Sequence, residues 1–199
     1  MRAWLSIIAV VALSFLGACH AKPAASAAAS SAPGVAPSAN AAPDRIVDGF
    51  YTAYQALPSG GGVPDGDGRA MLAPFLSPAL SQLLKEADAA ETAYAKATNG
   101  ESPPLIEGDP FSSMFEGATG AEVGKCEGDD KERQCVVDLV YKDQSGKETK
   151  WQDTADVVMT NKGWRVDDIE YGGTWDFGNK GTLSELLKGA IEEAKKPVE

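Results

Sequence analysis

The chain has 199 residues, and its 29 acidic against 18 basic side chains leave a net charge of −11. So acidic a balance excludes nucleic-acid binding, which needs a basic footprint, and disfavours lying flat on anionic lipid. It suits a well-solvated surface or, more sharply, a basic protein partner.

The first 18 residues read as a secretory leader. Arg2 supplies the positive start, and Leu5 to Leu16 form an apolar run interrupted by two serines. That run falls short of the roughly 20 residues a membrane-spanning helix needs, and matches the core of a signal peptide instead. The run stops at "LGAC", Leu16 to Cys19, which resembles the lipobox of bacterial lipoproteins. The resemblance implies a signal cut before Cys19 and a thiol carrying diacylglyceryl, with a palmitate-type acyl chain on the new amino terminus. Two or three chains anchor stably where one holds only marginally. His20 follows in place of aspartate, which by that family's sorting rule implies delivery to the outer membrane, facing the periplasm. Loss of Arg2 with the leader leaves 17 basic residues against 29 acidic ones, a net −12. Residues 19–43 are nearly all Ala, Ser and Pro and read as a disordered tether, too poor in large apolar groups to offset its ordering entropy.

Residues 44–199 are enough for one globular domain. Ile46, Val47, Phe50, Tyr51, Tyr54 and Leu57 fall at helical spacing, with Asp44 as the expected N-cap. "PSGGGVPDGDGR" reads as a flexible loop, followed by a short helix over Ala70 to Phe75. Ser77 and Pro78 open a longer helix whose stripe is Leu80, Leu83, Leu84, Ala87 and Tyr94, stopped by "NGESPP". After the irregular "GDPFSSMFEG", the period changes from helical to alternating. Cys135, Val137, Leu139 and Tyr141 share one strand face; Trp151, Ala155, Val157 and Met159 share the next. "NKG" is a turn into a last strand whose apolar set Trp164, Val166, Ile169 and Tyr171 slips phase at Asp167-Asp168, the mark of a β-bulge. Thr182-Leu183-Ser184-Glu185 is a capping box for a helix to about Lys195.

Helices first, then an antiparallel meander and a closing helix, predict an α+β fold with the N-terminal helices packed on a curved sheet. That order, with a final strand "GWRVDDIEY", resembles the cystatin-like, or nuclear-transport-factor-like, cone. With the lipobox and tether, "DPFSSMFEG" and "WRVDDIEYGGTWDFGNKGTLSELL" resemble an uncharacterised family of bacterial envelope lipoproteins, a domain of unknown function. The resemblance implies fold and location and assigns no activity.

Cys126 and Cys135 bracket eight polar residues, and with Cys19 lipidated they are the pair left for a disulfide in an oxidising compartment. A redox role for them lacks CxxC spacing and a helix N-terminus. The single histidine, His20, lies beside the anchor, so Ser-His-Asp, Cys-His and ordinary zinc chemistry have no candidates in the domain. Asp65 and Asp67 imitate the start of a calcium loop, but Arg69 and Leu76 occupy ligand positions. The Gly60–Gly62 run lacks the lysine of a phosphate-binding loop. No cofactor or metal site is indicated.

What remains is Asp168, which with Tyr171 or Tyr141 imitates the Asp base and Tyr donor of cone-fold isomerases. The plainer reading has an acid at a bulge accepting backbone N–H bonds. Trp164, Tyr171, Trp175 and Phe177 crowd the last strand and its loop, with Trp175 and Phe177 expected at the surface as contact residues for a ligand or partner. The sequence reads as a lipid-anchored, non-enzymatic envelope domain that binds another molecule, with an accessory or immunity-type role against a basic protein as its sharper form. A small pocket enzyme built on Asp168 and a purely structural envelope component are the alternatives.

Overall fold

In the computed structural model the described residues are 36–58 and 61–197; Cys19 and the leader lie outside them. The last spacer residues make a turn, Ala41 N–H donating to Ser38 O at 3.0 Å. That turn rests on Gly163, where a side chain would place its Cβ 2.3 Å from the Ala39 carbonyl oxygen. Helix α1, Pro43–Gln55, then begins with proline in its first turn. Asp44 therefore is not the cap: Ala42 holds that position without a side-chain bond, and Asp44 is the second helical residue, where a carboxylate still suits the helix dipole. Ile46, Val47, Phe50 and Tyr51 are buried, and α1 touches all four strands of the sheet.

Helix α2 spans Gly66–Leu72, earlier than the expected Ala70–Phe75. The Asp65 side chain accepts from Gly68 N–H at 2.8 Å and starts the helix within the glycine-rich stretch. Helix α3, Pro78–Ala97, is capped by Ser77 Oγ, which accepts from Leu80 N–H at 3.0 Å. Its stripe buries Leu80, Leu84 and Ala87, with Leu83 and Tyr94 half-covered.

The strands β1 (Gly120–Gly128), β2 (Glu132–Lys142), β3 (Glu148–Thr160) and β4 (Gly163–Glu170) form an antiparallel sheet in the order β1-β2-β3-β4. The pairing of β3 with β4 slips where Asp156 faces Asp168 and Val157 faces Val166, so Asp167 is the extra bulged residue. This is the phase change visible in the apolar pattern. A second slip between Val123 and Cys126 bends β1. Cys135, Val137, Leu139, Trp151, Ala155 and Val157 face the helices. Met159, expected on that face as core, is 45% exposed because the strand there is running out into the β3–β4 turn. The other face is polar: Gln134 Nε2 donates to Asp156 and Glu170, and Gln152 Nε2 to Asp138.

The free side of β4 is covered by the α2–α3 connection, with Ser77 N–H donating to Val166 O at 2.8 Å and Val166 N–H to Phe75 O at 2.9 Å. Covering an edge this way removes a template for aggregation. Helix α4, Leu183–Glu193, has the full Thr182–Glu185 capping box and packs Leu183, Leu187 and Ala190 inward beside α3 and β4. The fold is α+β, helices on an antiparallel sheet.

Candidate functional site

The 105–119 connection between α3 and β1 has little regular structure of its own, so other elements hold it. Glu91 on α3 accepts from the backbone N–H groups of Leu105 and Ile106 at 3.1 and 2.8 Å. Asp109 stands before Pro110 and accepts from Phe111 N–H at 2.8 Å, closing an Asx turn. Tyr54, at the end of α1, donates its hydroxyl to Asp109 Oδ2 at 2.9 Å and accepts from Ala118 N–H at 2.9 Å. Gly117 takes φ +81° there, and a Cβ would sit 2.7 Å from the Tyr54 oxygen and 2.9 Å from Asp109 Oδ2. A side chain at 117 would therefore break the Tyr54–Asp109 bond as well as strain the backbone.

The middle of the connection is gripped from the sheet. Asp153 on β3 is 1% exposed, on the same face as Trp151, Ala155 and Val157. It accepts from Ser113 N–H at 2.8 Å, Gly172 N–H at 2.9 Å and Trp151 Nε1–H at 3.2 Å, and from the Ser113 hydroxyl. Four donors to one carboxylate satisfy a charge that burial would otherwise make costly. Asn179 adds bonds from its amide to the carbonyls of Asp109 and Ser112 at 2.7 and 2.8 Å. The two stretches "DPFSSMFEG" and "YGGTWDFGN" thus meet in space through Asp153, Ser113 and Asn179.

Between the end of α1, the 61–65 turn and the 108–119 segment lies an open pocket of about 880 Å³. Leu57, Val63, Phe111 and Phe115 give it apolar wall, and Asp109 stands among them, partly exposed. Burial among these neighbours pushes the Asp109 carboxyl up from 3.8 to about 6; the bonds from Tyr54 and from the backbone of Phe111 and Ser112 hold it back, and the Asp153 charge adds to the rise. Burial also raises the hydroxyls of Tyr54 and Tyr171 above the ordinary tyrosine range. Tyr51 is the most deeply buried of the three, and its hydroxyl has no hydrogen-bond partner among the described residues.

The residues singled out from sequence are distributed over several places. Cys126 and Cys135 face each other in register across β1 and β2 and are bonded, with sulfurs 1.95 Å apart. Asp168 Oδ1 accepts from Ile169 N–H and from Ser184 N–H, both at 2.9 Å, fastening the bulge to the start of α4. Tyr171 donates to the Pro110 carbonyl at 2.6 Å and makes no bond to Asp168. Tyr141 lies half-buried on β2. The Asp168–tyrosine pair is therefore not assembled. Trp164 is buried near the β3–β4 turn beneath the Arg133 guanidinium, 5.4 Å from the ring centre. Trp175 packs edge-to-face on Trp151 at 5.4 Å, half-buried, while Phe177 is 69% exposed.

Asp109 and Asp153 went unmarked by the sequence. Asp153 had one available signal, a carboxylate at an inward position of an otherwise apolar strand face. Asp109 had only the Gly-Asp-Pro turn chemistry. Among the described residues no group of three or more His, Cys, Asp and Glu side chains is placed to hold a metal ion, and no helix is long and apolar enough to cross a membrane. No known protein family, curated protein or solved structure matches the chain.

Proposed function

We propose that this chain is a lipid-anchored envelope protein whose folded domain binds another molecule in the Asp109 pocket without transforming it. The observation that carries the reading is that pocket: about 880 Å³, with apolar walls around the partly exposed Asp109 and the exposed Asp65 and Glu116 also along its lining. Ligand sites generally combine apolar walls with few convergent polar groups. Of the other acids that hold the fold together, Asp153 accepts from four donors and Asp168 from two at one oxygen, and neither lines this pocket. The anchor rests on the lipobox at Leu16–Cys19, and the tether sets the domain's reach from the membrane.

A second reading is a protein partner docked on the 174–179 loop, favoured by the exposure of Phe177. A photo-crosslinking residue placed at position 115 or 177 of the full chain in cells, followed by mass spectrometry, separates the two. An adduct at 115 alone supports the pocket; an adduct at 177 alone moves the binding function to the loop. The same membrane fraction tests the anchor: its intact mass should correspond to an acylated polypeptide beginning at Cys19, and an unmodified thiol there would overturn that part of the reading.

A further inference from the structure

The charge around the Asp109 pocket is one-sided. Among the described residues its lining includes Asp65, Asp109 and Glu116 and no Lys, Arg or His. Asp65 caps α2 through Gly68 N–H and is exposed to water, as is Glu116. The cation on α2, Arg69, is engaged by other partners: its Nη1 donates to the Pro64 carbonyl at 2.7 Å and pairs with Asp88 at 2.7 Å. Among the described residues nothing in the wall neutralises Asp109.

Asp109 itself retains acceptor capacity. A carboxylate offers about four lone-pair directions. Tyr54 and the Phe111 N–H take one each, and the Ser112 N–H contributes a looser third. Beside it, Phe115 is 43% exposed, with its ring held in place against Gly108, where a Cβ would come within 2.6 Å of the ring. An anionic ligand would meet uncompensated repulsion here. A wholly apolar one would cover the carboxylate's remaining acceptor direction and leave it unsatisfied, which is costly. A cation satisfies both the free acceptor and the aromatic face.

We propose that the pocket takes a ligand bearing an ammonium or guanidinium head on a short apolar body, with Asp109 as counter-charge and Phe115 as the apolar and cation-binding wall. This rests on the pocket reading above. It assigns the pocket a chemical class of ligand, organic cations, and gives Asp109 the role of specificity determinant.

The test uses the full chain, isotopically labelled, titrated with hexylamine, 1-hexanol and hexanoate, three probes that differ only in head group. At neutral pH the amine should bind at least about tenfold more tightly than the alcohol, as a charge-assisted bond implies, and hexanoate more weakly than either. The amides of Gly61, Gly62, Phe115 and Ala118 should shift. Asp109→Asn should bring the amine down to the alcohol's affinity; Phe115→Ala, at an exposed site that folding tolerates, should weaken amine and alcohol together. Equal affinity for all three probes, or hexanoate tightest, overturns the cation inference and leaves the pocket as a binding site. If no probe moves those amides, both this inference and the pocket reading fall.

Discussion

Replacing Asp153 by asparagine is the sharpest test of how the interior is held. Oδ2 accepts from Ser113 N–H and Trp151 Nε1–H, and Oδ1 from Gly172 N–H and the Ser113 hydroxyl. An amide nitrogen placed at Oδ2 would oppose two fixed N–H donors. Placed at Oδ1 it opposes only Gly172, because the Ser113 hydroxyl can rotate and accept. The variant should adopt the second arrangement, taking the acceptor away from the Gly172 N–H and from the Ser113 hydroxyl proton, together worth about 1–3 kcal/mol at this part-buried edge. Two further bonds drop from charge-assisted to neutral, at about 1 kcal/mol each. Together these give a loss of about 3–5 kcal/mol. Against it stands relief from burying a charge, which dominates when an ion lacks partners. With four donors in place the hydrogen bonds should win. Urea unfolding followed by tryptophan fluorescence measures the outcome, since Trp151 and Trp175 stack beside the site. Asp143→Asn is the control: that carboxylate accepts from Ser145 and Lys147 in an exposed turn, and its replacement should leave the urea midpoint close to that of the native chain. An Asp153→Asn protein within about 1 kcal/mol of the native chain would refute the reasoning.

Two more outcomes follow from the same geometry. Replacing both Cys126 and Cys135 by alanine should lower stability by about 2–3 kcal/mol, the loop-closure value for a short loop, with the difference from the native chain vanishing under reductant. For Asp109, the folded carboxyl titrates at about 6 against an ordinary 3.8. Between those values the native state holds a proton that the unfolded chain has released, so stability falls as pH rises through that window, by about 2–3 kcal/mol in all. Tyr51, Tyr54, Tyr171 and Asp153 face it, and of these the Asp153 charge raises its titration. Asp156, also raised, adds a slope of the same sign from the outer sheet face. Urea midpoints across this pH range should therefore slope more steeply in the native chain than in Asp109→Asn, and identical slopes would remove Asp109 as the cause.

The elements visible in the sequence were those written in local spacing. The Ile46–Tyr54 stripe, the Ser77-Pro78 start, the Thr182–Glu185 box and the phase slip at Asp167 each span a few residues, so periodicity and capping chemistry suffice to find them. Helix α2 was misplaced because its stretch is rich in glycine, a poor helix former, and the start comes from one Asp65 bond. Asp153 escaped because alternation counts apolar residues, so an inward carboxylate reads as a gap. Its main partner, Ser113, lies 40 residues away. The pocket escaped for the same reason: Tyr54 and Asp109 are 55 residues apart, and neither has a local pattern announcing the other.

An acidic chain invites the idea that its charge is its function, yet many of these carboxylates are engaged in holding backbone. Asp65 and Asp168 receive the N–H groups of helix starts, Glu91 anchors a loop, Asp129 and Asp143 close turns, and Asp153 joins two segments to the sheet. Each stands where a connection lacks regular structure and must find acceptors for its own N–H groups. Asp168 belongs to this set, and its neighbour Tyr171 bonds Pro110 instead. Asp109 differs in position more than in kind. It also closes a turn, but it does so on the wall of an open pocket, with an acceptor direction left over and an exposed aromatic beside it. If the net negative charge serves recognition, the interior residue able to express it is Asp109, and a ligand's positive charge should be felt there before anywhere else in the fold.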